Sequence, residues 1–133
     1  MLLGLSAIAT LLGCGPAPKD RVSPTELQRL LEHTPQDVVV VDVRTSLEFG
    51  GSSGHIPGAV SLPYPGTHWN AGDIPASAGQ TIVLICLTGH RSRLPLAAIR
   101  AAHPGTTVVD LEGGMRAWWA ADLPVTSDPG SDE

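Results

Sequence analysis

Two short runs of aliphatic residues constrain the fold of this chain more than any other feature. Residues 37–43 read DVVVVDV and residues 81–86 read TIVLIC, and no polar residue interrupts the apolar part of either run. A strand that is apolar on both sides has to be covered on both faces, which is the situation of a central strand in a parallel sheet. Both runs therefore predict strands buried between two layers of helices.

Helical signals alternate with these strands. Ser23 is a candidate N-cap, Pro24 follows at the first helical position, and Glu26 lies three residues after the cap. Further helices are predicted over residues 93–103 and 115–121, and further strands over 59–63 and 106–111. Strands that alternate with helices in 133 residues imply one α/β domain with a parallel sheet and helices on both faces.

The charge balance excludes one class of partner. The formal net charge is -5 and the sequence pI is about 5.4, so the chain has no basic field with which to hold a nucleic-acid backbone. We therefore expect no nucleic-acid partner.

The first thirteen residues, MLLGLSAIATLLG, carry no charge and are shorter than the roughly 20 residues that a membrane-spanning helix needs. Residues 11–14, LLGC, resemble the lipobox of bacterial lipoproteins, in which Cys14 would be lipidated. We therefore predict a signal and tether over 1–19, a domain over 20–125 and a disordered tail over 126–133. The protein would be exported, as a periplasmic or membrane-anchored lipoprotein that contacts the membrane only through Cys14. The alternative for the first segment is a buried N-terminal helix.

Cys86 lies at the C-terminal end of a predicted central strand, where open α/β sheets place their binding crevices. The N–H groups of a short loop that enters a helix converge there and favour an anion. A cysteine in this loop should have a lowered pKa, and Arg91 should lower it further. Gly89 lets the loop curl, and Ser92 is a candidate cap for the next helix. The alternative is a buried cysteine that acts only as a small hydrophobic residue.

Three segments together resemble a single-domain rhodanese: DVRTSLEFGGSSGHIPGAVSLP at 42–63, CLTGHRS at 86–92 and LEGGMRAWWAADLPV at 111–125. The resemblance implies a five-stranded parallel sheet flanked by helices. It also implies a sulfurtransferase, in which a cysteine takes sulfane sulfur from a donor such as thiosulfate and holds it as a persulfide. The sulfur then passes to cyanide or to a thiol.

The resemblance also implies a role for each site residue. Cys86 would be the nucleophile, and Arg91 would stabilise the thiolate, the persulfide or an anionic donor. Asp42 and Arg44 would form a structural charge pair, and His55 would order the loop beside the site. The N–H groups of the loop that follows the cysteine would cradle the sulfur: Leu87, Thr88, Gly89, His90, Arg91 and Ser92. We expect a monomer that needs no cofactor or metal and whose partners are a small sulfur donor and a thiol acceptor.

Several features depart from the family pattern. Residues 50–53 lengthen the loop before GHIPGA, Leu87 stands where some members that use thiosulfate carry Arg, and Pro95 follows closely on the loop. His90 is a candidate general base, although an ionised thiolate needs none.

Two alternative functions stay open at this point. One is a cysteine-based phosphatase or arsenate reductase, but only four residues separate Cys86 from Arg91, one fewer than in the loops of those enzymes. The other is a rhodanese-like binding module without activity, of a kind that usually lacks the cysteine.

Overall fold

The computed structural model describes residues 20–127. The predicted signal and tether with Cys14, and residues 128–133 of the predicted tail, lie outside these residues. Thr126 lies one residue past the predicted domain boundary and pairs with His55 in an antiparallel bridge. No helix within residues 20–127 is long and apolar enough to cross a membrane.

A five-stranded sheet forms the centre of the fold, in the order β1-β5-β4-β2-β3. Every neighbouring pair of strands is parallel, so the predicted α/β architecture is confirmed. Both apolar runs lie in the interior of the sheet, as β2 and β4, and β4 is the central strand. The strands are β1 Arg21–Val22, β2 Val38–Asp42, β3 Val60–Ser61, β4 Thr81–Ile85 and β5 Thr107–Leu111.

Within residues 20–127, four α-helices flank this sheet. The first begins as predicted, since the Ser23 hydroxyl accepts a hydrogen bond from the N–H of Glu26. Short 3-10 turns at Pro35–Asp37, Ala71–Asp73 and Arg91–Arg93 connect other elements. The helices are α1 Pro24–His33, α2 Ser46–Phe49, α3 Leu96–Ala102 and α4 Gly114–Ala120.

Apolar side chains cover both faces of the sheet because adjacent strand residues point to opposite sides. On one face, α1 and α4 pack their side chains over the strands, and Trp118 is completely buried. On the other face, α3 and the Ala71–Asp73 turn cover the strands, and Cys86 belongs to this second apolar cluster. The neighbouring Trp119 is only partly buried.

The helix predicted over residues 93–103 starts later than expected. Its α-helical part begins at Leu96, with Pro95 in the N-cap position, and the 3-10 turn Arg91–Arg93 precedes it. Pro95 has no N–H to donate and is tolerated only where a helix begins. The prediction that Ser92 caps this helix is therefore wrong, since Ser92 lies in the 3-10 turn.

Candidate active site

Cys86 directly follows β4 at the carboxyl edge of the sheet, as predicted. Its side chain is buried, and the sulfur accepts a hydrogen bond from the N–H of Gly89 at 2.8 Å. Gly89 has φ +89°, a left-handed conformation that side chains other than glycine's rarely adopt, and this lets the loop turn back over the sulfur. The loop thus forms a tight cup around a single sulfur atom.

The N-terminus of α4 holds this cup from outside. Met115 donates its N–H to the carbonyl of Cys86 at 2.8 Å, and Arg116 donates to the carbonyl of Leu87 at 3.0 Å. The C=O and N–H of a trans peptide point in opposite directions. Because both carbonyls point outward to α4, the N–H groups of Leu87 and Thr88 point inward. The first turn of α4 therefore orients the cradle and satisfies its own free N–H groups at the same time.

Gly114 makes this close approach possible. A Cβ built at this position would lie 2.5 Å from the Cys86 carbonyl oxygen and 2.7 Å from the carbonyl atoms of Leu87. Gly114 also has φ +60°. Gly114 was not among the predicted site residues, although two adjacent glycines shortly after a buried strand are a signal for a close approach between backbones.

The pKa of the Cys86 thiol is lower than that of an ordinary cysteine. Burial raises the pKa, but the nearby Ser92 hydroxyl and the N–H groups of Ser92, Gly89 and Thr88 outweigh burial and lower it. These donors favour the thiolate because they stabilise negative charge on the sulfur. The prediction of a lowered thiol pKa is thus confirmed, and the donors belong to the loop itself.

The Ser92 hydroxyl is fully buried, and its geometry satisfies no regular hydrogen bond to any acceptor in the fold. It is nevertheless the strongest of the influences that lower the pKa of Cys86. Since a hydroxyl hydrogen rotates to suit its neighbours, we assign the sulfur as its acceptor. This replaces the helix-capping role that the sequence suggested.

Arg91 lies at the rim of the cup. Its guanidinium Nη2 is 3.6 Å from the Oε1 of Glu48, and the Arg91 side chain is 42% exposed. The donors that lower the thiol pKa come from the loop amides and from Ser92. Arg91 thus forms an ion pair with α2, and its expected help to the thiolate stays a prediction. Its role toward an anionic donor stays a prediction.

Asp42 and Arg44 form a buried ion pair behind the site. Arg44 Nε lies 3.0 and 3.1 Å from the two carboxylate oxygens of Asp42, and Arg44 Nη2 donates to Asp42 at 2.8 Å. The same Nη2 donates to the carbonyl of Gly54 at 3.0 Å. Both side chains are 1% exposed, so the pair is fully buried. It ties the end of β2 to the lengthened loop.

His55 fixes the other end of that loop. Its Nδ1 donates to the carbonyl of Phe49 at 2.7 Å, and the two rings stack with centroids 3.5 Å apart. Trp119 donates from its indole nitrogen to the carbonyl of Ser53 at 3.0 Å. Residues 50–53 form a surface loop, as expected, and several contacts hold it. His90, the candidate base, is exposed.

Asp110 is a buried carboxyl group that the sequence analysis did not consider. It lies on β5 opposite Leu84 and is 1% exposed, and neither of its oxygens accepts a hydrogen bond from any group in the described part of the chain. Burial raises its pKa, and the charges of Arg21 and Arg93 oppose this rise only in part. The Nε of Arg21 is 3.8 Å away, which is too long for a hydrogen bond. No cluster of three or more His, Cys, Asp or Glu side chains within residues 20–127 is placed to hold a metal ion.

A family model for the rhodanese-like domain matches residues 23–121. The chain belongs to this family. The match includes β2, the Cys86 loop and α4, so it covers the loop and the helix that build the cup.

Relatives and solved structures agree with this membership. The chain is 40% identical to a Synechocystis protein over 104 residues. The aligned segment covers 77% of the chain and 54% of that protein. It is 33% identical to a sulfurtransferase of Allochromatium vinosum over 95 residues. This alignment covers 71% of the chain and 84% of the relative. The thiosulfate sulfurtransferase of Pseudomonas aeruginosa superimposes with a TM-score of 0.70 at 27% identity, covering 84% of the chain and 20% of that structure. The chain thus spans about half the length of the Synechocystis relative.

Proposed function

We propose that the protein is a sulfurtransferase that carries sulfane sulfur as a persulfide on Cys86. The observation that supports this most directly is the cup itself: a cysteine of lowered pKa, surrounded by inward N–H groups. Such a cup can stabilise the negatively charged terminal sulfur of a Cys86 persulfide in the same way as it stabilises the thiolate. The sulfurtransferase of Allochromatium vinosum, at 33% identity, supports the same reaction class.

In the proposed reaction, the Cys86 thiolate attacks the outer sulfur of thiosulfate. The sulfur–sulfur bond of the donor breaks, sulfite leaves with the electron pair, and the enzyme holds the persulfide anion. Cyanide or a thiolate then attacks the terminal sulfur, and the Cys86 thiolate is the leaving group. No proton has to be removed from the nucleophile, so the reaction needs no general base and leaves no role for His90.

Leu87 bears on the choice of donor. Its carbonyl bonds to Arg116 of α4, and its side chain carries no charge with which to hold thiosulfate. The charge of an anionic donor would therefore be met at the rim by Arg91. We propose small anionic sulfane donors and small thiol or cyanide acceptors as the substrates.

The experiment that tests this function is a steady-state assay of thiocyanate formation from thiosulfate and cyanide. Activity in the wild type and its loss in Cys86→Ser, with an unchanged circular dichroism spectrum, would support the proposal. Undiminished activity in Cys86→Ser would refute it. A folded wild type that produces no thiocyanate, and no persulfide product with a thiol acceptor, would also refute it.

For the first 19 residues we propose export and a lipid on Cys14. The support is the uncharged apolar run that ends in LLGC. A Cys14→Ser variant of the full chain, expressed in a bacterium, should move from the membrane fraction to the soluble fraction. The same distribution for both proteins would contradict the anchor.

A further inference from the structure

Arg91 of the Cys86 loop and Glu48 of α2 form an ion pair that links the two elements. The two side chains are 42% and 31% exposed, and their closest charged atoms are 3.6 Å apart. The groups that lower the pKa of Cys86 are the Ser92 hydroxyl and loop amides. In this structure the positive charge of Arg91 is paired with the Glu48 carboxylate at the rim of the cup.

Glu48 is held in place by the start of its own helix. Its Oε1 accepts hydrogen bonds from the N–H of Thr45 at 3.3 Å and from the Thr45 hydroxyl at 3.1 Å. The Thr45 hydroxyl in turn accepts from the N–H of Glu48 at 3.2 Å, which completes a capping box. The carboxylate is thus a fixed negative charge, whereas Arg91 reaches it on a long and flexible side chain.

We infer that Glu48 is a positioning residue for Arg91 and sets how strongly the site attracts anionic donors. This inference rests on the proposed sulfurtransferase function. Without a donor, Glu48 keeps the guanidinium at the rim and away from the thiolate. A dianionic donor at the mouth of the cup competes with the carboxylate for Arg91. The Glu48 carboxylate therefore weakens donor binding and does not change the chemical step.

The test is the variant Glu48→Gln. A glutamine at this position still accepts from Thr45, so the capping box and α2 are retained while the charge is lost. Freed from the carboxylate, Arg91 becomes fully available to the donor. We expect the KM for thiosulfate to fall by about two- to fivefold, the range set by an exposed ion pair, with kcat unchanged.

A double-mutant cycle separates this effect from a general change in the local field. If Glu48 acts through Arg91, Glu48→Gln lowers KM in the wild type and has no effect in the Arg91→Ala background. A matched control is Glu112→Gln, which removes an exposed charge one residue beyond the end of β5 and leaves the ion pair of Arg91 with Glu48 in place. An equal fall in KM in the Arg91→Ala background, or an equal fall in Glu112→Gln, would overturn the inference. An unchanged or higher KM in Glu48→Gln would also overturn it.

The charge of the donor gives a second measurement that a merely structural role of Glu48 would not affect. Thiosulfate carries two negative charges, whereas an arenethiosulfonate carries one and delivers its outer sulfur to the thiolate in the same way. The effect of Glu48→Gln on KM should be larger for thiosulfate than for the arenethiosulfonate, and equal effects would contradict the inference. Persulfide formation on wild-type Cys86, measured separately by mass, distinguishes a failure of this inference from a failure of the proposed function.

Discussion

The contact between α4 and the Cys86 loop predicts a large effect for Gly114→Ala. A methyl group at this position would meet three backbone atoms of residues 86 and 87 at 2.5–2.7 Å, and backbone cannot move aside as a flexible side chain can. The left-handed φ of +60° adds about 1–2 kcal/mol for a residue with a Cβ. Loss of the two hydrogen bonds from Met115 and Arg116 to the loop carbonyls adds about 1 kcal/mol each. The expected cost is about 3–4 kcal/mol.

Gly79→Ala is the matched control. Gly79 also has a left-handed φ, +89°, but a Cβ there would meet nothing within 4 Å. This substitution should cost only the conformational part, about 1–2 kcal/mol. The difference between the two variants, about 2 kcal/mol, isolates the approach of α4 to the cradle.

Urea denaturation, monitored by tryptophan fluorescence, measures both free energies of unfolding. Without urea, where both variants are folded, the rate of Cys86 alkylation by iodoacetamide at pH 6 reports whether the loop amides still face the sulfur. We expect slower alkylation in Gly114→Ala and a wild-type rate in Gly79→Ala. Equal destabilisation of the two variants, or wild-type alkylation in Gly114→Ala, would refute the reasoning.

Three further predictions concern buried polar groups. Ser92→Ala should slow Cys86 alkylation at pH 6 by about tenfold, because the thiolate loses its strongest donor. Arg91→Ala should slow it less, and the reverse order would contradict the assignment. Arg44→Met should lower the free energy of unfolding by about 3–5 kcal/mol, since it leaves the buried Asp42 carboxylate uncompensated, and a loss below about 1 kcal/mol would exclude this role. Asp110→Asn tests the raised pKa of Asp110. The folded state holds this proton more tightly than the unfolded state, so the free energy of unfolding of the wild type should fall, relative to that of the variant, as pH rises above about 4. A difference between the two proteins that does not depend on pH would contradict the raised pKa.

The interior of the sheet and the position of Cys86 could be predicted from the sequence because their signals are local. Short apolar runs rich in β-branched residues predict buried strands, and β2 and β4 lie where these runs predict them. Strand β1, by contrast, has two residues, and nothing in its own sequence marks it as a strand. It exists because Arg21 and Val22 find partners on β5.

The finer features of the site depend on contacts between distant residues. Whether Ser92 caps a helix or faces a thiol depends on where α3 begins, which Pro95 and the 3-10 turn decide together. The orientation of the Arg91 side chain depends on Glu48, which lies 43 positions earlier in the chain. Only the fold brings these two residues close together. A loop motif predicts which residue types surround the sulfur, but not which of them touch it.

The most direct test of the proposed persulfide is the intact mass of the full chain. After incubation with thiosulfate and removal of excess donor, the mass should rise by one sulfur atom, about 32 Da, and should return to its starting value when cyanide is added. Cys86→Ser should show no change at either step. A folded wild type that gains no sulfur from thiosulfate or from an arenethiosulfonate, or a Cys86→Ser variant that gains as much as the wild type, would contradict the account.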